Sequence, residues 1–113
     1  MARPQIEAER LTIYCRESDH HAAQPVHVWI VAQALRDGLA RAQALRAIIG
    51  YGRRKRMQSQ SLLTISGDLP VRIEIIDTPG SIERFLDTHA AVLDRYTYLR
   101  EKVRWHPPAE DTD

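Results

Sequence analysis

The chain has 113 residues, 43% of them hydrophobic and 27% charged, and its 16 Lys and Arg against 15 Asp and Glu give a net charge of +1. This length suits one domain with a single core, and the composition excludes a wholly disordered chain. The near-neutral charge argues against a surface devoted to nucleic acid. With one cysteine, no apolar leader and no apolar run near the roughly 20 residues that span a bilayer, the sequence predicts a cytoplasmic protein.

The first half of the chain predicts strand, helix and strand. Alternating apolar residues predict a first strand over Glu9–Arg16. Pro25 is placed to begin a helix, and Gly38 to end it. The predicted buried stripe of this helix is Val28, Val31, Ala32, Leu35 and Leu39. Apolar residues then predict a second strand over Ala42–Tyr51.

The second half predicts two extended segments, a helix and a last strand. A short extended piece is predicted at Leu62–Ile65 and a clear strand at Val71–Ile76. Thr78-Pro79 predicts a helix start, with a capping hydroxyl before a proline. Its predicted apolar stripe is Ile82, Phe85, Leu86, His89, Ala90 and Leu93. Strict alternation predicts the last strand over Tyr98–Trp105.

This order of elements predicts the α+β class, with a ferredoxin-like βαββαβ sandwich in which two helices cover one face of an antiparallel sheet. The other face would be bare in a monomer, and its apolar content predicts an oligomer. We expect an N-terminal extension at 1–8, the domain at 9–106 with a flexible loop at 53–61, and a disordered acidic tail at 107–113.

The strongest local motif is Gly50-Tyr51-Gly52, which is followed by the four consecutive cations Arg53, Arg54, Lys55 and Arg56. Glycines after a strand let backbone N–H groups approach an anion, and cations beside them neutralise phosphate. The alternative is a strand-to-loop turn that leads into a solvated run of charge.

Arg100, Lys102 and Arg104 form a second set of cations, on one side of the last strand. They predict either a phosphate-facing row or a solvent-facing strand surface.

Enzyme chemistry finds little support in the sequence. Cys15 lies on a predicted buried face, and no nucleophile motif or Walker lysine motif is present. His20 and His21 lie beside Asp19 but lack an established metal-ligand spacing, so loop histidines are the simpler interpretation. With seven aromatic residues and no paired stacking motif, the chain is not predicted to bind nucleic acid.

Several segments in order resemble domain-of-unknown-function family 190, a group of uncharacterised bacterial and archaeal proteins in the PII-like superfamily. These segments are Leu11–Tyr14, Glu17–Asp19, Gly38–Ala40, Ile49–Gly52, Asp68–Val71 and Ile73–Asp77. Gly50-Tyr51-Gly52-Arg53 followed by Lys55 also resembles the base of the long T-loop in nitrogen-regulatory PII proteins.

The resemblance implies a PII-like homotrimer with sheets facing inward and clefts between subunits that hold an adenine nucleotide (ATP, ADP or AMP). It implies these nucleotide-binding residues: Gly50, Tyr51, Gly52, Arg53, Arg54, Arg100, Lys102 and Arg104. The expected function is signalling through a switching loop that contacts an unidentified protein, with a membrane transporter among the candidates. The alternatives are a ligand-free trimer that docks an acidic protein or membrane face, and a metal-responsive protein that uses Asp19, His20 and His21.

Overall fold

The computed structural model describes residues 4–53, 55–59 and 68–108. Their helices and strands are, in chain order, β1 (Ile6–Arg16), β2 (His20–His21), β3 (Gln24–Pro25), α1 (Val26–Arg36), β4 (Arg41–Arg46), β5 (Ile49–Gly50), β6 (Gln58–Ser59), β7 (Pro70–Asp77), α2 (Pro79–Thr88), α3 (Ala90–Leu93) and β8 (Thr97–Trp105). No helix in the described ranges has the length and apolar character needed to cross a membrane.

The main sheet has four antiparallel strands in the order β4-β7-β1-β8. The long β1 lies inside the sheet, where Leu11 pairs with Ile75 on one side and with Arg100 on the other. Strands β4 and β8 therefore form the two edges. The predicted α+β class and ferredoxin-like arrangement are confirmed.

The core lies between the helices and one face of this sheet. Period-two apolar residues of β1 and β7 face inward, and the helices supply the opposing side chains. The buried cluster contains Leu11, Ile13, Cys15, Val26, Ile30, Ala34, Val71, Ile73, Ile75, Ile82, Phe85, Leu86, Val92 and Leu93. Burial of these side chains is the main favourable contribution to folding.

The predicted buried stripe of α1 is correct only in part, because Val31 and Leu39 pack partly buried against the core while Val28, Ala32 and Leu35 are exposed. Val26, Ile30 and Ala34 face the core, whereas Leu35 is 80% exposed and Val28 is also exposed. Apolar residues occupy most positions of this helix, so two overlapping stripes at helical spacing are available. The sheet covers only one of them. Gly38 ends the helix as predicted, with a φ of +79°.

Two predicted strand boundaries differ from the structure. β1 begins at Ile6, so part of the predicted N-terminal extension belongs to the sheet. The predicted strand over Ala42–Tyr51 is divided: β4 pairs with β7 up to the Ala47 N–H, which donates to the Pro70 carbonyl, and the chain then pairs with β6 at Ile49–Gly50. The predicted piece at Leu62–Ile65 lies outside the described residues, as do 54, 60–61 and 109–113 of the predicted loop and tail.

The second predicted helix begins as expected and is then interrupted. The Thr78 hydroxyl accepts the Ser81 N–H, and Pro79 is the first helical residue. At His89 the backbone turns away from helical geometry (φ −110°, ψ 22°), which separates α2 from α3. The interruption leaves the predicted buried residues Ile82 and Leu93 in the core.

The second face of the sheet carries alternate residues of the same strands. Its apolar side chains include Ile6, Tyr14, Leu45 and Leu99, all exposed in the single chain. An Arg10–Glu101 ion pair lies among them, with a distance of 3.1 Å.

Candidate functional site

The Gly-x-Gly motif lies on a two-stranded ribbon that leaves the sheet after β4; we call residues 48–53 and 55–59 the loop-base ribbon. Ile49 pairs with Ser59, and Gly50 pairs with Gln58. Neither Gly50 nor Gly52 has a positive φ, and a Cβ on Gly50 would meet Pro70 at an ordinary 3.6 Å. The fold itself therefore does not require these glycines. Their effect is to leave the backbone open to a molecule that approaches from outside.

The described cations of the loop-base ribbon are Arg53, Lys55 and Arg56, and all three are exposed. No carboxylate of residues 4–53, 55–59 or 68–108 forms an ion pair with them. Their positive charge is thus available to an anion. The fourth predicted cation, Arg54, lies outside the described residues.

Glu17 holds the base of this ribbon. Its Oε2 lies 2.7 Å from Arg46 Nη2 at the end of β4, and its Oε1 accepts the Leu69 N–H at 3.2 Å. The Glu17 N–H in turn donates to the Leu69 carbonyl at 3.0 Å. Glu17, which directly follows β1, therefore joins the two points at which residues 47–68 leave and re-enter the sheet region.

Two further carboxylates reinforce the same end of the sheet. Asp68 accepts from Arg16 Nη1 at 3.3 Å and from the Ser18 N–H at 3.2 Å. Asp19 accepts the Arg16 N–H at 2.8 Å, and its carbonyl accepts the Val26 N–H. The carboxylates of Glu17, Asp19 and Asp68 therefore hold the turn after β1, and this turn positions the ribbon and the start of α1.

The predicted row on β8 lies at the other edge of the sheet. Arg100 contacts Glu9 at 2.8 Å and Glu83 at 3.1 Å, and these hydrogen bonds raise the pKa of its guanidinium. In the strand register Lys102 is opposite Glu9, and Arg104 is opposite Glu7. Carboxylates therefore face this row, and a single chain does not bring it together with Gly50, Tyr51, Gly52 and Arg53.

The histidines do not assemble a metal centre in the described part of the chain. No group of three His, Cys, Asp or Glu side chains there has the geometry to hold a metal ion. His20 Nδ1 contacts the Ser18 carbonyl at 2.7 Å, and His21 packs edge-on against Trp29. His89 instead joins two helices, since its Nε2 lies 2.7 Å from an Asp37 carboxylate oxygen.

A groove beside β4 contains residues that sequence reasoning missed. Its volume is about 700 Å³, in the range of small-molecule sites. Gln43 Nε2 donates to Glu74 Oε1 within it. Its principal lining residues are Val31, Leu35, Leu39, Glu74, Ile76 and Trp105. No single motif indicates it, because the residues come from α1, two strands and the end of β8.

Cys15 is part of the core, as its place on an alternating strand predicts. Burial, with a smaller contribution from the negative charge of Asp19, raises the pKa of its thiol to about 12. Burial and Asp19 also raise the pKa of Tyr96. Because the thiolate is the reactive form, we expect no modification of native Cys15 by an alkylating reagent at pH 8.

Mass spectrometry after timed alkylation measures this expectation. The same chain in denaturant is the control, since an unfolded thiol with an ordinary pKa reacts with one equivalent of reagent. Rapid labelling of the native protein at a rate similar to that in denaturant would contradict burial of Cys15.

Comparison with protein families gives one match that covers most of the chain. Residues 8–105 match the DUF190 family, described as "Uncharacterized ACR, COG1993". The chain belongs to the DUF190 family. Among similar proteins, a UPF0166 protein of Aquifex aeolicus is 33% identical over 73% of this chain and 78% of its own length. A UPF0166 protein of Methanocaldococcus jannaschii is 33% identical over 72% of this chain and 74% of its own.

Solved structures show that the DUF190 chain has the fold of PII-like proteins. It superposes on CPII of Thiomonas intermedia K12, a nitrogen regulatory PII-like protein solved with ADP, AMP and bicarbonate, with a TM-score of 0.68 and 13% identity over 95% of both chains. A putative PII-like signalling protein of Thermus thermophilus gives a TM-score of 0.57 and 14% identity over 89% of both chains. The predicted DUF190 membership and the predicted PII-like fold are confirmed.

Proposed function

We propose that this DUF190 protein is a PII-like signalling or regulatory protein rather than an enzyme, and that it binds an adenine nucleotide (ATP, ADP or AMP) in clefts between the subunits of a homotrimer. The observation that carries the proposal is the likeness of the fold, over 95% of both chains, to a PII-like protein solved with ADP and AMP. The site that we assign on this chain is the loop-base ribbon.

The ribbon has the chemistry that a nucleotide phosphate requires. A Cβ atom placed on Gly52 would meet no other atom within 4 Å, so the backbone at this glycine is open to an approaching phosphate. Arg53 follows directly, and a guanidinium can bind two phosphate oxygens at once. Gly50, Tyr51, Gly52 and Arg53 are thus our proposed phosphate contacts, with Arg54 added from the sequence.

The separation of the two predicted cation sets favours a site between subunits. The ribbon follows β4 at one edge of the sheet, and the row of Arg100, Lys102 and Arg104 lies on β8 at the other edge. Three strand spacings separate these edges, about 14 Å, which is too far for one phosphate group to bridge. A neighbouring subunit could present its β8 cations to this ribbon, and the apolar second face would supply the contact surface.

The proposed switch is the loop that includes residues 53–61. Nucleotide bound at its base would order the loop and change the surface that a protein partner meets, with a membrane transporter among the candidates. Glu17 and Asp68 hold the loop base in place, so a change at Arg53 would be transmitted outward along the loop rather than into the sheet.

The first test is a thermal-shift measurement with ATP, ADP and AMP at millimolar concentration. At a nucleotide concentration about ten times Kd, binding stabilises the native state by about 1.4 kcal/mol, which raises the Tm of a chain of this size by about 5 °C. We expect Arg53→Ala to weaken nucleotide binding at least about tenfold, because a charge-assisted hydrogen bond is lost.

Arg36→Ala is the matched control, since Arg36 is an exposed arginine in the last turn of α1, away from the ribbon. It should leave the nucleotide-induced shift unchanged. Light scattering under the same conditions measures whether the protein is a trimer. A trimer with no shift for any of the three nucleotides would instead favour the ligand-free trimer, and a monomer would remove the cleft between subunits and contradict the proposal.

A further inference from the structure

We propose that the loop-base ribbon binds the surface of an anionic lipid bilayer. The lipid surface is a partner in addition to the protein that the proposed function assigns to this loop; its regulation rests on that function, although the contact itself needs no nucleotide. The proposal starts from side chains that the fold leaves exposed at this one place.

The ribbon exposes four large apolar side chains within ten residues of the chain, at positions 48, 49, 51 and 57. Ile48 is 75% exposed, Ile49 55%, Tyr51 63% and Met57 55%. One residue beyond the last strand pair, Gly50–Gln58, the register places Tyr51 opposite Met57. A patch of this kind marks an interaction site, whereas isolated exposed apolar residues do not.

The positive side chains of the ribbon lack carboxylate partners among the described residues, whereas several arginines of the sheet have them. Arginines on the sheet strands find carboxylates, as Arg10 does with Glu101 and Arg72 with Glu74. Arg53, Lys55 and Arg56 find none among the described residues, and no acidic residue occurs between Arg46 and Asp68 in the sequence. The ribbon therefore offers exposed cations together with exposed apolar groups.

This combination fits a lipid surface better than a protein groove. A standard protein interface needs about 20–30 residues on each side. The ribbon is a narrow projection of the described residues 48–53 and 55–59. Interfacial binding needs only a few apolar and aromatic side chains at the headgroup level and cations near anionic headgroups.

The proposal also gives the ligand a role. A nucleotide at Gly50–Arg53 would occupy the same cations that contact the headgroups, and its negative charge would oppose the bilayer. Nucleotide binding should therefore release the protein from the membrane, in the manner of an electrostatic switch. Vesicle binding without nucleotide and its reversal by nucleotide are separate measurements, so the two proposals can fail independently.

The test is co-sedimentation of the full chain with vesicles of phosphatidylcholine alone or with about one third phosphatidylglycerol, first without nucleotide. We expect binding to the anionic vesicles only, with an affinity that falls as salt rises. Arg53→Gln with Lys55→Gln should weaken binding about 25-fold, since each cation near the surface contributes about fivefold. Ile48→Ser with Tyr51→Ser should also weaken it at least about tenfold.

The matched control variants remove exposed cations or an exposed apolar side chain from positions outside the loop-base ribbon. Arg36→Gln with Arg95→Gln removes two exposed cations, and Leu35→Ser removes an exposed apolar side chain; each should leave vesicle binding within about twofold. Equal loss in the ribbon variant and the cation control would overturn the proposal. So would retention on immobilised polyglutamate without binding to anionic vesicles, which would indicate an acidic protein partner. Vesicle binding with no thermal response to nucleotides would support the lipid site and contradict the proposed function.

Discussion

Ile30→Ala is expected to lower the free energy of unfolding by about 2–5 kcal/mol, because it removes three carbons from a fully buried position of α1 and leaves a cavity. Leu35→Ala removes the same number of carbons from the same helix, but Leu35 is exposed. Its expected cost is below about 0.5 kcal/mol. The pair therefore measures which face of α1 contacts the sheet.

Denaturant titration of both variants at one protein concentration measures the difference. A fixed concentration is needed because assembly of subunits contributes to apparent stability. If the stripe predicted from the sequence were correct, Leu35→Ala would be the costly change and Ile30→Ala the mild one. The expected order is the reverse, and equal costs would contradict the orientation of α1.

The strands of the sheet were predictable because their signal is local. In β7 buried residues alternate with residues that point to the other face, and in β1 the apolar residues Leu11, Ile13 and Cys15 alternate with Thr12 and Tyr14, so the pattern indicates which side faces the core. The start of α2 was predictable for the same reason, since Thr78 and Pro79 act on neighbouring backbone groups. The ferredoxin-like order follows from such elements without knowledge of distant contacts.

The orientation of α1 was not predictable from its apolar period. Val26, Ile30 and Ala34 form one series at i, i+4 spacing, and Val31 and Leu35 begin another beside it. Hydrophobicity does not choose between them, because both series are apolar. The choice depends on where β4 and β7 pass beneath the helix, and this is a property of the whole fold.

The candidate site was predictable only where its signal lay in consecutive residues. The Gly-x-Gly motif and the cations after it stand out in the sequence, and the structure places the glycines with Arg53, Lys55 and Arg56 on one ribbon. The carboxylates that position this ribbon do not stand out. In the sequence Glu17 is typical of a solvated loop acid. Only the fold brings it to Leu69, which is 52 residues away in sequence. The same holds for the row on β8, whose facing acid Glu9 comes from the other end of the chain.

Glu17→Ala is expected to lower the free energy of unfolding by about 1–3 kcal/mol. The substitution removes the acceptor of the Leu69 N–H, and Leu69 is only 3% exposed, so water does not readily replace the carboxylate. It also removes the partner of Arg46. Glu17→Gln should cost less, because an amide oxygen can still accept the Leu69 N–H while the charge interaction with Arg46 is lost.

Asp87→Asn is the control for this change, since it removes the negative charge of an exposed carboxylate on α2, on the helix side of the sheet. Exposed substitutions of this kind contribute little, so a cost within about 0.5 kcal/mol is expected. Hydrogen exchange at the Leu69 amide and tryptic cleavage after Arg53–Arg56 provide the local measurement. Both should accelerate in Glu17→Ala and remain unchanged in Asp87→Asn, because of these two residues only Glu17 joins the two ends of the loop. A Glu17→Ala protein with the stability and cleavage rate of the control would show that the Glu17 carboxylate does not hold the loop base.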